Sequence, residues 1–165
     1  MNAIEKTYTD ALSQVKSLAP DESVEFARGK ITRHDPMPED RHQLYSTYTK
    51  RSWGGAVVAR TALYAVGVTP PLNVGDGVTV NYWSDRAPFT VVRVSPSGKT
   101  ATIQRDLVKI VSGSFREGNA VFEHARNPNG RTETVRVRKN GLWYPAGKSS
   151  NVLSLGRGYY EDPTF

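Results

Sequence analysis

The sequence predicts an α+β fold, with an N-terminal helical layer followed by a small, strongly bent antiparallel β-sheet of SH3-like barrel character, and three observations predict it. Apolar residues recur at helical spacing before the tandem prolines Pro70-Pro71. They switch to a period of two within a few residues beyond them. Gly-containing turns then punctuate the rest of the chain. The boundary falls near residue 72, with residues 1–72 as the helical part and residues 73–165 as the basic antiparallel β part. The two are expected to pack as one composite domain, because helices with so few large apolar side chains need a sheet to cover.

The first helix runs from Asn2 to Leu18, where Ile4, Tyr8, Ala11, Leu12, Val15 and Leu18 share one face. Asn2 with Glu5 three residues on is a capping box, each side chain satisfying a backbone N–H that the helix start leaves unpaired. Ala19-Pro20-Asp21 ends it, and Ser23 to Thr32 alternates as a strand without an obvious partner. His34-Asp35-Pro36-Met37-Pro38 is a loop, since two prolines remove two donors and push their preceding residues out of the α region. A second helix starts at Pro38, with Glu39 and Asp40 in its first turn, and ends near Lys50-Arg51. Gly54-Gly55 breaks the chain, and a third helix spans about Ala56 to Val66, with Gly67 as its C-cap.

In the β part, Val78, Val80 and Tyr82 alternate with Thr79, Asn81 and Trp83, followed by a β-rich run from Phe89 to Val94 and an alternating one from Thr100 to Arg105. Ser95-Pro96-Ser97-Gly98 joins the last two as a hairpin turn. Leu107 to Val111 extends that hairpin or starts a crossover, and Ala120 to Ala125 is a short strand. Asn127-Pro128-Asn129-Gly130 is a turn whose Asn-Gly step supplies a positive φ. Arg131 to Arg138 places Val135 and Val137 on one face and Thr132, Thr134, Arg136 and Arg138 on the other. Leu142-Trp143-Tyr144 is the last strand.

Composition narrows the function classes. With 38% hydrophobic and 23% charged residues the chain belongs with folded globular proteins, and without cysteine it has no disulfide, thiolate-metal or thiol chemistry. No apolar stretch is long enough to span a bilayer, and the start lacks the basic and apolar regions of a signal peptide, so a cytoplasmic protein without a membrane partner is expected. Net charge is +6, of which residues 1–74 carry +1 and residues 75–165 carry +5. A basic excess confined to the β part points to an anionic partner, DNA or RNA, although it equally serves solubility.

Within that part, Arg126, Arg131, Arg136, Arg138 and Lys139 cluster around the Asn127–Gly130 turn, opposed only by Glu133. Arg136 and Arg138 project from one strand face about 7 Å apart, close to the spacing of successive phosphates. Trp143 and Tyr144 offer stacking faces to unpaired bases, unless they are core residues as aromatics at strand spacing usually are. His34, His42 and His124 lack metal-ligand spacing, and Asp35, Glu39 and Asp40 are explained by a helix N-terminus, so neither a metal, a cofactor nor a catalytic residue is expected. Gly156-Arg157-Gly158 has too few glycines for a phosphate-binding loop.

Trp83-Ser84-Asp85-Arg86, then Ser97-Gly98-Lys99, and finally Gly156-Arg157-Gly158-Tyr159-Tyr160-Glu161-Asp162-Pro163 ending at Phe165 resemble a group of small, functionally uncharacterised bacteriophage-encoded proteins, over about residues 74–165. The resemblance implies a viral origin and action in the bacterial host cytoplasm, and it brings no activity. In the turn itself, Asp85 is expected to accept backbone N–H bonds and Arg86 to pair with a carboxylate, while the rings from Tyr160 to Phe165 tuck against the sheet or dock on another subunit. The expected function is non-enzymatic binding of nucleic acid or a host nucleoprotein machine. The alternatives are a protein-binding inhibitor of a host defence or regulatory enzyme that works by occlusion, and a virion or assembly component. Homo-oligomers fit any of these.

Overall fold

A computed structural model describes residues 1–20, 22–26, 29–33, 50–51, 57–58 and 68–161. The chain divides into two compact units, Met1–Pro71 and Leu72–Phe165. In the first, helix α1 spans Ala3–Ser17. Its capping box is complete: the Glu5 N–H donates to Asn2 Oδ1 at 3.0 Å and the Asn2 N–H to Glu5 Oε2 at 2.7 Å. Ile4, Ala11 and Val15 form the buried stripe. At the other end Arg33 Nη1 donates to the carbonyls of Lys16 at 3.1 Å and Leu18 at 2.6 Å, supplying cationic donors where the helix leaves acceptors unpaired.

The alternating run after α1 is not one strand. It folds back on itself as β1 (Ser23–Phe26) and β2 (Gly29–Thr32), paired from Ser23↔Thr32 to Phe26↔Gly29, so its partner is its own second half. β3 (Lys50–Arg51) pairs with β4 (Val57–Val58), which corrects the expected helix at Val57 and Val58. Two β-branched residues in succession suit an extended backbone better than a helix start. The remainder of both expected helices, with Glu39, Asp40 and His42, and the expected loop with His34 and Asp35 lie outside the described residues.

The second unit is a six-stranded antiparallel sheet of β5 (Gly77–Asn81), β6 (Arg86–Val94), β7 (Thr100–Arg105), β10 (Thr132–Val137), β11 (Trp143–Pro145) and β12 (Leu153–Leu155). Their order is β11-β10-β7-β6-β5-β12, and the two edge strands approach each other, so the sheet nearly closes into a small barrel. Alternate positions point inward: Val78 and Val80 of β5, Phe89 and Val91 of β6, Ala101 and Ile103 of β7, Val135 of β10 and Trp143 of β11 are all buried in one cluster. A bulge between Val91 and Arg93 bends β6 where it pairs with β7. The Ser95–Gly98 turn is as expected, with Gly98 at φ 70°.

Two elements depart from expectation. β12 has no forerunner in the periodicity; three residues are too few to show one, yet Leu153 and Leu155 pair with Val80 and Val78 and close the far edge. Leu107–Ser112 (β8) neither extends the hairpin nor crosses over. It pairs with Val121–Ala125 (β9) as a separate two-stranded ribbon, inserted between two strands of the barrel that are themselves partners. The neck of the insertion is tight. The Arg105 N–H donates to Arg131 O at 2.9 Å, and a Cβ on Gly130 would lie 2.1 Å from Arg105 O. Gly130 therefore serves close backbone approach, and it does not take the positive φ that the Asn-Gly step suggested.

Candidate nucleic-acid interface

The β10 strand presents Arg136 next to Thr100 on one side and Tyr144 on the other, so opposite residues put all three on the outer face of the barrel. Val135 is fully buried and Val137 packs on the core, as the alternation requires. Arg138 lies beyond the strand end, on the same side as Arg136 by the period of two. Its guanidinium covers the Tyr144 ring at 4.7 Å, and Nη2 donates to the carbonyl of Lys148. The Val137 N–H donates to Lys99 O at 3.1 Å, which brings Lys99 to the same end. Lys99, Arg136, Arg138, Lys139 and Lys148 are all exposed there. The segments that carry them, residues 86–105 and 134–160, contain no Asp or Glu. Arg136 has no hydrogen-bonding or ionic partner among the described residues.

The other sequence-predicted residues are placed differently. Arg126 and Arg131 sit at the opposite end of the β7–β10 pair, beside Gln104: Arg126 Nη2 donates to Gln104 Oε1 at 3.4 Å. Arg131 is committed to Glu133 at 2.7 Å and to the Tyr82 hydroxyl at 2.9 Å. The expected single cluster is thus two, because a strand of six residues separates Arg131 from Arg138 by roughly 20 Å. Trp143 is only 2% exposed and belongs to the core, so it presents no face to a base. Tyr144 is 8% exposed, capped by Arg138, with its hydroxyl accepting from Asn140 Nδ2 at 2.9 Å. Neither ring stacks on a ligand in this arrangement; both hold the sheet edge together.

An aromatic platform exists elsewhere. The β5–β6 connection turns at Tyr82–Asp85, closed by the Tyr82 N–H to Asp85 O at 2.8 Å, and Trp83 at its tip is fully solvent-exposed. Tyr160 is drawn to the same place by two backbone bonds with Arg86, 2.7 and 3.1 Å long. Trp83, Arg86 and Tyr160 with Asn81, Ser84 and Asp85 line an open groove of about 550 Å³. A smaller hollow of about 180 Å³ continues it toward Arg105 and Tyr159. Arg86 makes no salt bridge among the described residues, contrary to the expected carboxylate pairing. Of the rings expected to tuck in, Tyr160 stays 48% exposed and Phe165 lies outside the described residues, whereas the neighbouring Tyr159 sits edge-on to Phe122 at 5.0 Å. The phenols of Tyr82 and Tyr159 are both held above their ordinary pKa, Tyr82 mainly by burial and then by Glu133, Tyr159 mainly by its hydrogen bond to Glu161 and then by burial. Both are therefore protonated at neutral pH, Tyr82 accepting from Arg131 Nη2 and Tyr159 donating to Glu161 Oε2.

The two motifs that stand out in the sequence, Trp83-Ser84-Asp85-Arg86 and Gly156-Arg157-Gly158-Tyr159-Tyr160, meet here in space. The second acts as a clasp across the outer face of β5 and β6. Arg157 donates from Nε to Asp106 Oδ2 at 2.8 Å and from Nη2 to Thr90 Oγ1 at 2.7 Å, while Thr90 Oγ1 donates to Asp106 Oδ1 at 2.7 Å. Thr79 Oγ1 donates to Gly156 O at 2.6 Å and accepts from the Gly158 N–H at 2.7 Å. Gly77 makes room, since a Cβ there would lie 2.5 Å from Arg157 Nη1. The sequence signal for the clasp was the Gly-Arg-Gly run itself, whose glycines allow backbone approach to a sheet as readily as to a phosphate.

Among the described residues no group of three or more His, Asp or Glu is arranged to hold a metal ion, and no helix is long and apolar enough to cross a membrane. His124 lies on β9, its Nδ1 buried without a hydrogen-bond partner among the described residues. No protein-family model, curated protein or solved structure matches this chain.

Proposed function

We propose that the barrel unit, SH3-like in character, binds nucleic acid through its phosphate backbone at the Lys99–Arg136–Lys148 end. The observation that carries this reading is the convergence of Lys99, Arg136, Arg138, Lys139 and Lys148 from segments devoid of carboxylates. Among the described residues Lys99, Arg136, Arg138 and Lys148 have no carboxylate partner. Cations gathered in this way repel one another, and an anionic ligand relieves that repulsion while releasing its own condensed counterions. The outer face of β7 and β10 between the two ends carries Thr100, Thr102, Gln104, Thr132 and Thr134, hydroxyl and amide groups able to hydrogen-bond sugar and phosphate oxygens. The viral setting implied by the resemblance belongs with this proposal.

The test is anisotropy titration of labelled single-stranded and duplex oligonucleotides with the wild type and with the Lys99→Ala/Arg136→Ala variant. These two residues are exposed and have no core role, so the variant is expected to fold and to bind about tenfold or more weakly. Equal affinity for both proteins contradicts the assignment. A second reading, docking on another protein as an inhibitor or assembly component, is favoured by the ribbon. Leu107, Val111 and Val121 on one of its faces are 54%, 51% and 52% exposed. Wild-type protein that binds no nucleic acid in the same titration favours that second reading.

A further inference from the structure

The groove at Trp83 adds a second component to the proposed interaction. We infer that it is a subsite for one unpaired nucleobase, stacked on the Trp83 indole with Arg86 at the adjoining phosphate, so that the barrel prefers single strands over duplexes. This rests on the nucleic-acid reading above and goes beyond it in ligand class.

Three features of the site carry the inference. Trp83 is the most exposed large hydrophobic side chain among the described residues, at 101%, beside a groove whose second ring, Tyr160, is 48% exposed. An indole left wholly in water at a defined position suits a ligand with a π-face, and every base has one. The platform is also held in place before any ligand arrives. The Tyr82–Asp85 turn is closed by a backbone bond, Arg86 and Tyr160 exchange two more, and Asn81 Nδ2 ties the strand end to Val152 O at 2.9 Å. These bonds fix the backbone that carries the indole, so the backbone ordering cost on binding is small. Finally, Arg86 is exposed on the groove wall with no ionic partner among the described residues, and Arg105 borders the adjoining hollow. A cation next to an aromatic face recognises a nucleotide, whereas it has no use for a purely apolar ligand. Bases in a duplex are stacked on each other and expose no face, which sets the preference.

The experiment uses the full chain, a short oligothymidylate and a hairpin duplex of matched charge, with Trp83→Ala and Trp83→Phe. Trp83 packs on nothing that holds the barrel together, so both variants keep the wild-type melting profile. Trp83→Ala is expected to bind the oligothymidylate about 5- to 100-fold more weakly, with its duplex affinity and salt slope unchanged, and Trp83→Phe to recover most of the loss. Tryptophan emission is quenched as the wild type is titrated with oligothymidylate, and that component disappears in Trp83→Ala. A Trp83→Ala variant that binds the oligothymidylate like wild type, its salt slope intact, overturns the stacking subsite and leaves the phosphate interface standing. Wild-type protein that binds neither probe overturns both.

Discussion

Asp106 is the residue on which the clasp depends. At 4% exposure it is a carboxylate with Thr90 and Arg157 as its partners, and removing the guanidinium leaves a charge in a site that water reaches poorly. Arg157→Ala is expected to cost about 3 kcal/mol, at the low end for a broken buried pair because the arginine is itself one-third exposed. For a unit of this size the melting midpoint drops by more than about 10 °C. An unchanged midpoint would show that the clasp is ornamental. The tyrosines give a pH prediction. Tyr82 and Tyr159 bind their protons more tightly in the folded state, so their contribution to stability is present below the unfolded phenol value near 10 and is lost as pH rises through their raised folded values. A 295 nm titration is expected to show two late phenols, one absent in Tyr82→Phe and the other in Tyr159→Phe; titration of both with the remaining tyrosines contradicts the assignment. At this scale the sequence was only partly legible. Arg136 is exposed on the predicted face, but burial of Trp143 and exposure of Trp83 depend on which strand positions a turn interrupts, and the alternation ran through Tyr82 and Trp83 without marking the turn.

Helix α1, the Ser95–Gly98 hairpin and the inward set of β5, β7 and β10 follow from periodicity, because each is a local pattern with a turn or cap signal beside it. The β8–β9 ribbon and β12 do not. Their placement is decided by partners distant in sequence, and the runs themselves are equally apolar on both faces or very short. The ribbon is attached through a neck in which Gly130 is pressed against the Arg105 carbonyl and Gln104 Nε2 donates to the carbonyls of Pro128 and Gly130 at 3.0 and 3.1 Å. Gly130→Ala puts a methyl group where there is 2.1 Å of space to a backbone oxygen, so the neck must open. The expected loss is about 2 kcal/mol, as for other overpacked sites, accompanied by faster hydrogen exchange at the Arg105 amide. A variant as stable as wild type, with that amide still protected, contradicts the close-approach role.

At the scale of the whole molecule, the charge asymmetry between the two halves was readable from the sequence, and the barrel turns it into a surface by bringing β7, β10 and the β11–β12 connection to one end. What composition does not show is that the basic residues divide into Lys99, Arg136, Arg138 and Lys148 at one end of the β7–β10 pair and Arg126 and Arg131, bonded to Gln104 and Glu133, at the other, since only strand register separates them. The measurement that bears most directly on the proposed interface is the salt dependence of oligonucleotide affinity between about 50 and 200 mM. Contacts by four or five of the cations predict a log–log slope near −3 on a single strand, shallower by about 1.4 in Lys99→Ala/Arg136→Ala. Absence of binding at the lowest salt, or a slope that the double substitution leaves unchanged, would contradict phosphate recognition at this end of the barrel.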